Sequence, residues 1–234
     1  MLSVEALTAG YGRIPVVSDI SMEVEAGRIT AVLGANGAGK TTLVKALGGL
    51  IRPMAGRVLI AGRDITGADP STATRAGVRL LLDGHRVFPD LSVHDNLKIA
   101  AITTGSRREF ELLCDEYFEV FPILKQKRKD YARTLSGGQQ QILALTQALL
   151  CQPKVLLCDE PSIGIAQALI PTILKELRNF ASRGGAVVLV EQQIQMSLKV
   201  SDTALVMDRG SIRLSGLASD LMSDDRIRKI YMGN

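Results

Sequence analysis

The chain has 234 residues, 46% of them hydrophobic and 22% charged, with a net charge of +4; this is the composition of an ordinary globular protein with room for one large domain or a domain carrying a subdomain. That charge is too small to argue for nucleic acid, aromatics at 4% give no stacking platform, and no stretch approaches the roughly 18 apolar residues that cross a bilayer. Met1 to Gly10 shows neither a basic leader nor a long apolar run, so no secretory signal is expected, and the widely spaced Cys114, Cys151 and Cys158 read as packing thiols.

The first segment alternates, with Val4, Ala6 and Thr8 on one face and Ser3, Glu5 and Leu7 on the other, and predicts a strand up to the turn Ala9-Gly10-Tyr11-Gly12. Tyr11, exposed between two glycines, could stack on a flat ligand, although a lone aromatic is more often packing. A second strand is expected over Ile20 to Glu25, and a third over Arg28 to Leu33. The third runs into Gly34-Ala35-Asn36-Gly37-Ala38-Gly39-Lys40-Thr41, which fits the phosphate-cradling pattern G-x-x-x-x-G-K-[ST], with a helix expected over Thr42 to Leu50. Glycines 34, 37 and 39 let the backbone bring its N–H groups against phosphate oxygens, and the helix start adds its positive end. Lys40 would reach the β and γ phosphates of a nucleotide, and the Thr41 hydroxyl would serve Mg²⁺, which prefers hard oxygen donors.

Arg57 to Ile60 reads as a strand, Ser71 to Gly77 as a short helix capped by Ser71, and Val78 to Leu82 as a strand ending at Asp83-Gly84. From Val87 the character changes to helical periodicity, over Ser92 to Ala101 and Arg107 to Val120, with no strand until Lys154; the basic run Lys125 to Lys129 reads as a solvated helix end. This helical insert closes on Leu135-Ser136-Gly137-Gly138-Gln139 ahead of a helix over Gln140 to Leu150. Such a turn is a potential anion cradle, yet taken alone it is more often just a cap.

Next comes the apolar strand Val155 to Cys158, which exits into Asp159-Glu160-Pro161. Two acids there are hard to justify as packing, because ionised carboxylates avoid burial unless paired or bound to metal. Their expected division of labour puts Asp159 on Mg²⁺, directly or through water, and Glu160 on the attacking water. A helix over Gln167 to Ser182 follows, with Leu169, Ile173, Leu177 and Phe180 toward the core and Pro171 in its first turn. Ala186 to Val190 is a buried strand, Thr203 to Met207 and Ser211 to Leu214 form a hairpin at a sheet edge, and Asp224 to Tyr231 is a short charged helix.

Phosphate loop, LSGGQ and strand-Asp-Glu stand in the order and approximate spacing of the ATP-binding cassette family, which the chain resembles over nearly its whole length. The resemblance implies an α/β fold: a P-loop (RecA-like) nucleotide-binding core and small antiparallel β subdomain over 1–86 and 152–234, with an inserted α-helical subdomain over about 87–151. It implies hydrolysis of ATP with Mg²⁺, the nucleotide lying on Tyr11, Val16, Gly34, Ala35, Asn36, Gly37, Ala38, Gly39, Lys40, Thr41 and Thr42. Two cassettes would close face to face, so that Ser136, Gly137, Gly138 and Gln139 touch the partner's ATP.

A narrower resemblance is to the second ATPase subunit of branched-chain amino acid type importers, carried by Gly34 to Thr42, Gly84-His85-Arg86-Val87-Phe88, Leu135 to Gln141, Asp159 to Ala166 and Leu189 to Gln192. It implies a peripheral subunit at the cytoplasmic face of the inner membrane. Its partners would be a second cassette, identical or different, two membrane permease subunits and an external solute-binding protein, without nucleic acid. Several positions depart from the pattern. Asp83 stands where most cassettes carry a Mg²⁺-touching glutamine and joins Thr41 and Asp159 as a metal candidate; Leu82 replaces a usual proline, Arg79 charges the preceding strand, and Ala166 replaces an aspartate that bridges subunits. Gln192 replaces a γ-phosphate-contacting histidine; expected to be catalytic beside Glu160, it can hydrogen-bond but cannot titrate, so slow hydrolysis or heavier reliance on Glu160 is expected. The same substitution keeps open an ATP-dependent dimerising regulatory module with little hydrolysis.

Overall fold

The computed structural model describes residues 1–234 apart from 83, 85–86, 102–105, 225 and 228–234. In chain order the elements are β1 (Leu2–Tyr11), β2 (Ile14–Val24), β3 (Ile29–Gly34), α1 (Lys40–Leu47), β4 (Ala55–Ile60), β5 (Arg63–Asp64), α2 (Pro70–Arg75), β6 (Val78–Leu81) and α3 (Val93–Ala100). They continue with α4 (Arg107–Val120), α5 (Pro122–Gln126), α6 (Gly137–Leu150), β7 (Val155–Asp159), α7 (Ile170–Ser182), β8 (Ala186–Val190), α8 (Ile194–Val200), β9 (Thr203–Asp208), β10 (Ser211–Leu217) and α9 (Ala218–Leu221).

Two compact units result: Met1–Leu80 with Lys154–Glu160 and Leu177–Asn234, and Leu81–Pro153 with Pro161–Glu176. The first unit holds a four-stranded antiparallel sheet in the order β2-β1-β4-β5 and a six-stranded sheet in the order β10-β9-β3-β8-β7-β6. In the larger sheet β3 runs parallel to β8 and β9, and β7 parallel to β8, while β10 turns back antiparallel at the edge. Every residue of β3, β7 and β8 is buried, which is why these strands read as unbroken apolar runs without alternation.

Strand β1 departs from the expected alternation. Ala6 takes a left-handed conformation (φ +46°) and the pairing shifts between Val4 and Leu7, so a bulge turns Ala6 outward and buries Leu7 completely. Gly56 follows the bulge so closely that a Cβ there would lie 2.4 Å from the Ala6 carbonyl oxygen. Helix α2 is capped by Asp69, whose side chain accepts from the Thr72 N–H, and Pro70 occupies its first turn; Ser71 is therefore inside the helix and is not its cap. Leu169 lies in a 3₁₀ turn (Gln167–Leu169) ahead of α7 and is 37% exposed, whereas Ile173 and Leu177 are fully buried and Phe180 is half-buried against Gly185. The expected helix at Asp224 to Tyr231 falls largely outside the described residues, and the short α8 is not anticipated from sequence.

In the second unit α6 carries polar side chains into the interior. Fully buried Asn96 accepts from the Phe88 N–H at 2.8 Å and donates back to the Phe88 carbonyl at 2.9 Å, and Gln147 Nε2 donates to the Asn96 carbonyl at 3.0 Å. Cys114 is buried and its thiol is pushed up to about 12 by burial, with Glu111 adding to the shift, which makes it inert packing.

Asp202, at the entrance to β9, ties the first unit together. Its carboxylate accepts from the Ile29 N–H at 2.8 Å, from Arg178 Nη2 at 2.8 Å and from Arg28 Nη1 at 3.0 Å. Partial burial pushes this carboxyl up, but the Ile29 N–H and the two guanidiniums outweigh it and hold the pKa below the ordinary carboxylate range. Because the folded pKa is depressed, the stabilisation is complete above the unfolded value and is lost as pH falls through the folded one. Asp202→Asn is therefore expected to be about 1–2 kcal/mol less stable than wild type at pH 7, read by thermal denaturation, with the two curves converging in acid. A constant gap down to pH 2 would refute the ionic role.

Candidate functional site

At the C-terminal end of β3 the loop 34–39 turns back on itself, the Ala38 N–H bonding to the Ala35 carbonyl at 3.1 Å. Gly37 (φ +82°) and Gly39 (φ +101°) are both left-handed. Gly39 is also sterically required, since a Cβ there would sit 2.7 Å from Val17 Cγ1 and 3.3 Å from the Val16 carbonyl oxygen. Asn36 and Gly37 are exposed at the crest, Ala35 is half-buried, and Ala38 and Thr42 are buried beneath. Lys40, 6% exposed, folds its ammonium back over the loop and donates to the Gly34 carbonyl at 2.7 Å and the Ala35 carbonyl at 3.0 Å. Burial pushes its pKa down, against the opposing pull of Glu160 and Asp159. The result is a buried cation whose present partners are neutral carbonyls, which a phosphate would displace at a gain.

Tyr11 ends β1 opposite Ile14 and is 54% exposed, with half-buried Val16 in the same hairpin. The β9–β10 turn, expected from sequence only as a hairpin connection, fastens this hairpin to the loop. The Gly210 N–H donates to the Ala38 carbonyl at 3.0 Å and the Ser18 N–H donates to the Gly210 carbonyl at 2.9 Å, so the β9–β10 turn locks both. Its only signal in sequence is the Asp-Arg-Gly turn itself.

Asp159 terminates β7 at 3% exposure, and its Oδ1 meets no hydrogen-bond partner among the described residues. Burial raises its pKa and the Glu160 carboxylate adds to the rise, against the Thr41 hydroxyl bonded to it and the charges of Lys40 and Lys45. Lys45, one helical turn beyond Thr41, is a contributor that the motif does not flag. A buried oxygen without a partner beside a hydroxyl is a hard-donor pair suited to Mg²⁺, and no cluster of three or more His, Cys, Asp or Glu side chains exists among the described residues to hold a metal alone. Asp83, the third expected ligand, lies outside the described residues.

Glu160 is held in a left-handed conformation (φ +51°), its N–H bonded to the Val190 carbonyl at 2.9 Å. For a residue with a side chain this costs on the order of 1 kcal/mol, and it projects the carboxylate away from the strand. Gln192, two residues past β8, reaches it: Nε2 donates to both carboxylate oxygens at 2.8 Å. Sequence reasoning paired these residues by role only; their direct contact comes from β7 and β8 being neighbours.

In the second unit Ser136 caps α6. Its Oγ accepts from the Gln139 N–H at 3.4 Å while Gln139 Oε1 accepts from the Ser136 N–H at 3.0 Å, a reciprocal capping box. Ser136 and Gly137 are exposed, Gly138 and Gln139 half-buried. The first-turn N–H groups of Gly137 and Gly138 cannot be paired within the helix, the feature that lets a helix N-terminus take an anion.

Known proteins resemble the chain over most or all of its length. The family model described as ABC transporter matches residues 17–163. The high-affinity branched-chain amino acid transport ATP-binding protein BraG of Pseudomonas aeruginosa is 36% identical over 233 residues, covering 100% of both chains. The lipopolysaccharide export system ATP-binding protein LptB of Haemophilus influenzae is 31% identical over 238 residues, covering 100% of this chain and 97% of that protein. Among solved structures, a nucleotide-free ATP-binding cassette from an ABC transporter superposes with a TM-score of 0.84 at 25% identity, covering 100% and 99% of the two chains.

The unmet oxygen of Asp159 yields a prediction with a definite sign. With the folded pKa raised, the fold binds the proton more tightly than the unfolded chain, so ionisation of Asp159 weakens the fold as pH rises through that window. Asp159→Asn is expected to raise the melting temperature of the nucleotide-free protein at pH 7 by about 2–4 °C, equivalent to roughly 1 kcal/mol. The gain should shrink toward pH 4, and a loss of stability at pH 7 would contradict it.

Proposed function

The chain belongs to the ABC transporter family of ATP-binding cassettes, whose members dimerise and hydrolyse ATP to drive transport through membrane subunits, and from that premise we propose that it is the ATP-hydrolysing subunit of an importer for branched-chain amino acids or a related small polar solute. The observation that carries the catalytic part is the arrangement within one unit of Lys40, Thr41, Asp159, Glu160 and Gln192 at the ends of β3, β7 and β8. The cargo rests on the likeness to BraG at 36% identity, weighed against the lipopolysaccharide export name of a relative at 31%.

In this reading loop 34–39 wraps the β and γ phosphates with its N–H groups, and Lys40 exchanges two carbonyls for phosphate oxygens. Tyr11 and Val16 flank the base. Thr41 and Asp159 would hold Mg²⁺, which when bound neutralises charge developing on the phosphates. Glu160 orients the attacking water and accepts its proton as the bond from the β,γ-bridging oxygen to γ-phosphorus breaks, leaving ADP and phosphate. Gln192 fixes the Glu160 carboxylate through its amide N–H groups. Ser136 to Gln139, at the α6 terminus, would complete the ATP site of a second cassette, so the competent unit is a dimer working with permease subunits at the cytoplasmic face of the membrane. Among the described residues no helix is long and apolar enough to cross a membrane.

The test is ATP turnover by the purified chain, alone and mixed with candidate partner cassettes. Lys40→Ala should abolish nucleotide binding, Glu160→Gln should bind ATP but lose turnover by at least 100-fold and accumulate a dimer, and Gln192→Ala should lower turnover roughly 10-fold. ATP binding without turnover under any condition would replace this reading with that of a regulatory module. Stimulation of turnover by permease subunits and a branched-chain amino acid binding protein would support the cargo, and stimulation only by a lipopolysaccharide-export assembly would overturn it.

A further inference from the structure

Gln141 sits on α6 one turn past Gly138, fully buried, and among the described residues neither its Nε2 nor its Oε1 meets a hydrogen-bond partner. Neighbouring polar residues of the same helix are provided for. Gln140 Nε2 donates to the Ala132 and Leu135 carbonyls at 3.1 and 3.3 Å, Thr146 Oγ1 to the Ile142 carbonyl at 2.8 Å, and Gln147 Nε2 to the Asn96 carbonyl at 3.0 Å. An unmet buried polar group costs about 1–3 kcal/mol, and a carboxamide has two such ends. A side chain of similar shape without polar atoms would avoid that cost, so an arrangement that does pair the amide is the physical reason for having it.

The place where it could pair follows from helix geometry. A helical side chain leans toward the N-terminus over the preceding turn, and residues three apart share a face. Gln141 therefore leans over the turn of Gly137 and Gly138, where the missing side chain of Gly138 lets another segment approach closely. The loop that follows Glu160-Pro161 in sequence packs on the same spot: a Cβ on Gly138 would lie 2.8 Å from the Gly164 carbonyl oxygen and 3.4 Å from Ile165 Cα. That loop is a tight turn, with the Ile165 N–H bonded to the Ser162 carbonyl at 3.3 Å and Gly164 left-handed (φ +70°). It brings peptide donors and acceptors over a helix turn that has an amide to spare.

We propose that Gln141 is a positioning residue for hydrolysis. When nucleotide engages the α6 terminus, the Ser162–Ala166 loop shifts over Gly138, and a peptide group of the loop pairs with the Gln141 carboxamide, C=O to Nε2–H and N–H to Oε1. The pairing holds the segment directly after the catalytic glutamate only while nucleotide is bound. The proposal rests on the reading of Ser136 to Gln139 as a nucleotide contact.

Two measurements on the ATP-competent assembly test it. Gln141→Met, close in shape and without the amide, should raise the melting temperature of the nucleotide-free chain while lowering kcat roughly 10-fold with KM for ATP unchanged. A purely structural amide would move stability and leave kcat alone, and that outcome would overturn the proposal. The second measurement does not depend on that variant: amide hydrogen exchange in Glu160→Gln protein, with and without ATP and Mg²⁺. Slowed exchange at both 136–139 and 162–166 is the expected result. Protection at 136–139 alone would reject the role of Gln141 and leave the nucleotide reading standing; protection at neither would reject both.

Discussion

Parallel strands buried on both faces can carry polar chemistry only at their ends. Here β3, β7 and β8 are buried along their whole length, and each ends in a different component: the phosphate loop, the Asp159-Glu160 pair and Gln192. Because the strands are adjacent and parallel, their C-terminal ends lie side by side without any long-range loop having to find its partner. The β9–β10 turn belongs to the same edge, and through Gly210 it braces the phosphate loop from behind. The register of one sheet thus positions the loop, the Asp159 carboxylate and the Glu160 carboxylate together.

The electrostatics of that edge are set by burial acting on opposite charges. Burial lowers the pKa of Lys40 and raises that of Asp159, each toward neutrality, with the charges of the other resisting. Lys40 spends its donors on neutral carbonyls and one Asp159 oxygen has no partner. In the proposed function a phosphate anion and a divalent cation would offset both penalties at once, and that relief would contribute to binding. Glu160, forced into a left-handed backbone, adds local strain at the same place.

Much of this was legible in sequence because its determinants are local. The glycine spacing of 34–39 dictates a turn, the apolar run 155–158 dictates burial, and acids at its exit demand a partner. What escaped depended on contacts between distant segments or on competing caps. The bulge at Ala6 reverses the burial of Leu7 and is stabilised by Gly56 on a neighbouring strand, which no alternation pattern can show. Asp69 took the cap expected at Ser71 because Pro70 suits the first helical position and leaves its predecessor as the cap. Leu169 reads as part of an amphipathic helix, but the 3₁₀ turn rotates it out of that face. The Gln140 and Gln141 pair looks uniform in sequence, yet only burial separates a satisfied amide from an unmet one.

The Glu160–Gln192 contact gives the substitution at position 192 a physical meaning. A histidine could change charge between pH 5 and 8 and so add a proton-dependent term to the carboxylate beside it. Glutamine offers a neutral donor of fixed protonation, and its two 2.8 Å contacts orient the carboxylate. What it cannot offer is positive charge toward a γ-phosphate, so in the proposed function charge stabilisation would fall more heavily on Lys40 and on Mg²⁺. Its side-chain Oε1 remains an acceptor, which in the proposed function would take a hydrogen bond from the attacking water. In the proposed function the substitution would move position 192 from charge compensation to alignment of the Glu160 carboxylate.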